Sequence, residues 1–184
     1  MTTRHVGARA RDQAHLGVLI QFESVFMSYA LLKTLHLLSI IVWIGGMVFA
    51  NFFLRPAVAA LEPAVRVRLM HAVLGRFFTA VLVAAGLAFA TGGWMIGRTA
   101  ADMARSGVRF NMPLEWMLMA TLGVLMMLIF VYIRWVLYRR LGALVQAADW
   151  PLGGALLQQI RGWVLVNLVL GVVIVLVTVV GVSS

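Results

Sequence analysis

Four apolar stretches, each long enough to cross a bilayer, constrain this chain more than any other feature. They cover residues 29–54, 69–96, 114–138 and 163–182. A helix needs about 20 apolar residues to span ~30 Å of hydrocarbon, and each stretch supplies them. No period-2 alternation of the kind a barrel strand requires competes with this pattern. Only 11% of the residues are charged while 63% are apolar, which leaves too little polar surface to cover a water-soluble core. The fold expected is all-α, an integral membrane four-helix up-down bundle, because the connections at 55–68, 97–113 and 139–162 are short. Residues 27–184 make up this four-span domain. Residues 1–26, which hold Arg4, Arg9 and Arg11, form a separate N-terminal tail, disordered or lying on the interface. Its apolar piece, 16–20, is too short for a signal-peptide core.

Helix punctuation agrees with these limits. Arg55-Pro56 closes the first span and Glu62-Pro63 opens the second helix ahead of the membrane. Asn111-Met112-Pro113 precedes the third, and Asp149-Trp150-Pro151 reads as a cap followed by proline in the first turn of the fourth. That helix therefore begins well before its apolar stretch, with Gln158, Gln159 and Arg161 at the interface.

The charges are lopsided, with 15 Lys and Arg against 6 Asp and Glu, a net charge of +9. A nucleic-acid binder is not this apolar, so nucleic acid is not an expected partner. Excess arginine here fits connections held against anionic lipid. Arg55, Arg66, Arg68, Arg139, Arg140 and Arg161 lie in the first and third connections, against Arg98, Arg105 and Arg109 in the second. The positive-inside rule then puts both termini outside a bacterial inner membrane. The absence of cysteine excludes disulfides, thiolate metal sites, iron–sulfur clusters and covalent haem attachment. Nothing resembles a hydrolytic triad, a phosphate loop or a zinc motif. No enzyme activity is assigned.

Polar side chains within a span are costly and therefore informative. Lys33 and His36 share one face of the first helix at i and i+3. Lys33 can snorkel to the interface, whereas His36, ~10 Å below the start of the span at 1.5 Å per residue, is too short to do so. His36 is either a buried histidine bonded to a neighbouring helix or a ligand to copper or haem iron. In antiparallel packing the same level holds Met119, part of a stripe of Met112, Met119 and Met126. Thioethers suit cuprous copper and also pair with histidine on haem, although methionine is also a common core filler. His71 lies at the opposite face and does not complete a bis-histidine site. Arg76, Arg134 and Arg161 have no carboxylate within the spans near them, so they snorkel, bind carbonyls or face an anion such as a haem propionate. Gly45-Gly46, Gly86, Gly92-Gly93-x-x-x-Gly97 and Gly171 allow close helix contacts, and the G-x-x-x-G match is compatible with a homodimer.

These residues also carry a resemblance. LLKTLHLLSIIVWIGGMVFANFFLRPAVAALEP, GRFFTAVLVAAGLAFATGGWMI, LGVLMMLIFVYIRWVLYRRL and AADWPLGGALLQQIRGWVLVNLVLG together resemble short CopD-family membrane proteins. That resemblance implies a four-helix inner-membrane bundle associated with copper resistance or uptake. The LKTLHLLSIIVWIGGM stretch also looks like the first helix of HemJ-type protoporphyrinogen oxidases, which use haem b, and implies His36 as the haem ligand. Those oxidases have a functional lysine in a later span, whereas Lys33 is the last lysine here. Short CopD-like proteins carry a histidine near the start of the third span, where this chain has Glu115-Trp116-Met117. That departure leaves His36 with Met117 or Met119 as the candidate metal pair. Three functions follow as expectations. The first is copper handling through a His/Met site. The second is a b-type haem protein for electron transfer or tetrapyrrole oxidation, with His36 axial and Arg76 or Arg134 on the propionates. The third is a structural subunit without cofactor.

Overall fold

The computed structural model describes residues 27–109 and 111–183; the tail expected over 1–26 lies outside them. Four long helices make up the described part. They are α1 (Met27–Ala57), α2 (Pro63–Arg105), α3 (Leu114–Gln146) and α4 (Trp150–Ser183). Their most apolar windows have mean hydropathies of 2.0 to 2.9, yet only 22% to 33% of each window is buried inside the protein. Leu128, Val169 and Val180 are each more than 60% exposed. In water such a surface would aggregate; in a bilayer it is the lipid-facing side. The all-α membrane bundle is therefore the observed fold.

The helices run past the apolar stretches because their ends are polar but have no reason to unwind until a specific stop. Pro63 opens α2 from an extended Glu62, as proline in a first turn permits. At the other end Gly107 has φ +72°, and Val108 N–H reaches Met103 O at 3.1 Å, the left-handed cap that glycine favours. Asp149 Oδ1 accepts from Leu152 N–H at 3.1 Å, capping α4.

Two turns are wide. Phe49–Leu54 in α1 and Ile133–Leu137 in α3 are π-helical. In α1 the cause is Pro56, which lacks an N–H and would clash with the carbonyl four residues earlier. Widening the turn moves that carbonyl away, and Arg55 N–H bonds to Ala50 O instead. No proline accounts for the turn in α3.

Contacts at the helix ends fix the up-down order. Arg55 Nη2 donates to Leu157 O at 2.6 Å and Arg55 Nη1 to Gln158 Oε1 at 3.0 Å, which ties the end of α1 to the start of α4. Tyr138 Oη donates to His71 O at 3.1 Å, joining late α3 to early α2. At the opposite end His36 meets Ala88, and Gly181 lies against Glu115. The centre is a chain of rings. Trp43 meets Phe130 edge-on at 6.2 Å, Phe130 meets Phe78 at 6.0 Å, Phe78 meets Tyr138 at 5.5 Å, and Tyr138 stacks on His71 at 4.7 Å. Phe78, Ile133 and Leu137 are almost fully buried here.

Candidate metal-binding cavity

His36, Ile40, Trp43 and Ile44 recur on one stripe of α1, and that stripe faces a cavity of about 260 Å³. All four helices wall it. Helix α2 brings Ala88, Gly92 and Ile96, α3 brings Met119, Gly123 and Met126, and α4 brings Gly171 and Ile174. His36 is the one ionisable side chain among these linings.

The imidazole is held from behind. His36 Nδ1 lies 2.9 Å from Ala88 O and 3.1 Å from Thr91 Oγ1. A carbonyl oxygen only accepts, so Nδ1 carries the proton in this contact. In the neutral ring Nε2 is then left with the lone pair. This is the arrangement by which a backbone carbonyl fixes the tautomer and orientation of a ligating histidine. Thr91 Oγ1 lies 2.6 Å from Leu87 O and 3.2 Å from Ala88 O, so its hydroxyl proton is committed to the α2 backbone and its oxygen remains an acceptor for the imidazole.

Glycines keep the space open. A Cβ at Gly92 would stand 3.1 Å from His36 Cε1, and one at Gly171 would stand 3.1 Å from Ile44 Cδ1 and 3.3 Å from Met126 Cε. Gly92→Val is therefore expected to push the ring off Ala88 O; for a histidine that ligates a metal, losing its orienting partner lowers affinity by about 10-fold or more. Titration of the purified variant with cuprous ion checks it; wild-type affinity would show that the ring has room to spare.

The sequence candidates do not all meet. His36 and Met119 line the same cavity, with Met126 of the same methionine stripe. Met117 is not among the lining residues and is 49% exposed. Two residues apart on a helix means about 200° around its axis, so Met117 and Met119 cannot face one point. Arg76 is exposed on α2. Arg134 lies over the Tyr138 ring at 5.0 Å and near Trp135 at 5.9 Å. Neither arginine lines the cavity. His71 stacks on Tyr138 at the other end of the bundle. Among the described residues, no three His, Cys, Asp or Glu side chains gather into a group that could hold a metal ion.

Reasoning from the sequence did not find the Ala88 carbonyl or Gly123. A backbone acceptor leaves no trace in residue identity. Gly123 was findable, because it lies four residues from Met119 on the same face.

A family model described as copper resistance protein D matches residues 71–181. No curated protein and no solved structure matches the chain.

Proposed function

The chain belongs to the copper resistance protein D (CopD) family, and from that premise we propose that it handles cuprous copper through His36 and Met119. The observation that carries this reading is that the two side chains line one apolar cavity, with Nδ1 of His36 already committed to Ala88 O. Imidazole and thioether are ligands that suit cuprous copper, and a metal group of three harder ligands is not present among the described residues.

Both ligands are neutral, so a bound cuprous ion keeps its full positive charge. No carboxylate lines the cavity to offset it. An uncompensated charge in an apolar site costs several kcal/mol, so the site holds copper weakly and releases it readily. That behaviour suits an ion in transit rather than a stored one. In this reading the membrane is a bacterial inner membrane with the start of α1 outside; six arginines in the first and third connections against three in the second support that orientation, and the tail's Arg4, Arg9 and Arg11 even the count.

A second reading has one observation in its favour. A single histidine held through Nδ1 beside a glycine-lined apolar cavity is also how an axial haem ligand is placed. No arginine lines that cavity to meet propionates, which is why copper stands first.

Met119→Leu keeps the volume and removes the sulfur. It is expected to lower cuprous affinity by at least about 10-fold, the least that losing even an orienting partner costs, while Met117→Leu leaves it unchanged. Competition against a chromogenic cuprous chelator measures both. Equal affinities for wild type and Met119→Leu overturn the copper reading, and a Soret band in purified protein, lost in His36→Ala, replaces it with haem.

A further inference from the structure

We infer that a second pocket, at the opposite end of the bundle from His36, binds a phosphate group through Arg55, Arg66 and Arg161. It has a volume of about 270 Å³ and lies between the end of α1, the start of α2 and the first turns of α4. Asn51, itself buried, and Gln158 add amides to its wall. Met70 and Leu157 close its floor.

The arginines are brought together by the fold, not by proximity in sequence. Pro56 widens and then ends α1, which leaves Arg55 at the turn, and two hydrogen bonds to Leu157 O and Gln158 Oε1 hold it against α4. Arg66 Nη1 donates to Ala59 O at 3.3 Å. Arg161 makes no hydrogen bond or ion pair to the described residues. Each guanidinium carries five N–H donors, so most donors around the pocket have no hydrogen-bond partner among the described residues.

Charge gives the second argument. No carboxylate lines the pocket, and the salt bridge among the described residues, Arg105 with Asp102, is on the other face. Arg66 and Arg161 both repel Arg55. Three guanidinium groups around one half-enclosed space are stable together when an anion sits among them. A phosphate offers non-bridging oxygens to several of them at once, the bidentate geometry for which arginine is better suited than lysine. The pocket's arginines flank the ends of the apolar stretches 29–54, 69–96 and 163–182, the level at which a spanned bilayer has its phospholipid headgroups, and a soluble phosphate has the same chemistry. This inference is independent of the copper reading, because it uses none of its residues.

The test uses the full chain in a neutral detergent. Thermal stability is measured on adding phosphatidylglycerol, phosphatidylcholine or inorganic phosphate, for wild type, Arg161→Gln, Arg161→Lys and Arg105→Gln. The Arg161 side chain makes no hydrogen bond or ion pair to the described residues, so its replacement leaves none of their groups unpaired and the fold is expected to be retained. Wild type and Arg105→Gln are expected to respond to phosphatidylglycerol at similar concentrations. Arg161→Gln is expected to need at least about tenfold more, the worth of one charge-assisted hydrogen bond, with Arg161→Lys between them. A response to phosphatidylglycerol alone assigns a lipid headgroup, and a response to inorganic phosphate assigns a soluble source. If Arg161→Gln responds as wild type does, if phosphatidylcholine stabilises wild type as well as phosphatidylglycerol does, or if none of the three probes stabilises it, the inference is overturned.

Discussion

Replacing His36 by alanine is expected to lower cuprous affinity by more than about 100-fold. The figure follows from a comparison of roles. Removing a partner that merely orients a ligand costs 10- to 100-fold, and His36 is the proposed ligand itself. Among the described residues no second histidine is nearby, because His71 stacks on Tyr138 at the far end, and the chain has no cysteine. The lack of thiols also makes the titration clean, since no adventitious thiolate competes for the ion. His36→Ala is expected to fold normally. The side chain gives up a contact to a carbonyl that Thr91 also reaches, so no α2 acceptor is stranded. Retention of wild-type affinity by a folded His36→Ala protein would remove the site from consideration.

The largest effect on stability is expected from Phe78→Ala. Phe78 is 1% exposed and meets Phe130 and Tyr138 edge-on, at interplanar angles of 75° and 88°. Truncating a buried phenylalanine costs about 3–5 kcal/mol in soluble proteins. In a membrane the unfolded helices stay in lipid, so burial from water contributes nothing and packing alone remains. The expected loss is therefore near the low end, about 3 kcal/mol. Phe52, 59% exposed toward lipid, gives the contrast, and Phe52→Ala is expected to change stability by less than about 0.5 kcal/mol. Denaturing-detergent titration of the two variants measures both. Equal losses would show that the ring chain does not hold the bundle together.

The fold was legible because bilayer thickness is a hard rule and prolines mark the ends. The stretch at 69–96 located α2 and Glu62-Pro63 its start, but not its end, since the turns from Gly97 to Arg105 carry no hydropathy signal and are still helical. The two π turns were not legible. They are a matter of which carbonyl each N–H selects, and only Pro56 hints at one of them. Placing Met119 level with His36 needed nothing more than helical rise, whereas choosing it over Met117 needed the helix rotation that packing sets. Arg55, Arg66 and Arg161 were assigned to one membrane face by counting. Their meeting in one pocket depends on how α4 leans on the end of α1, which no local pattern encodes.

The chain of rings from Trp43 to His71 has a kinetic meaning. It places buried, close-packed apolar side chains between the His36 cavity and the arginine pocket. An ion crossing by diffusion needs a continuous wet path, and this septum breaks it. If copper traverses this protein, each passage must wait for the rings to repack, on the microsecond-to-millisecond scale of helix motions. Flux would then level off as copper rises, as in a turnstile, and would not grow in proportion to the gradient.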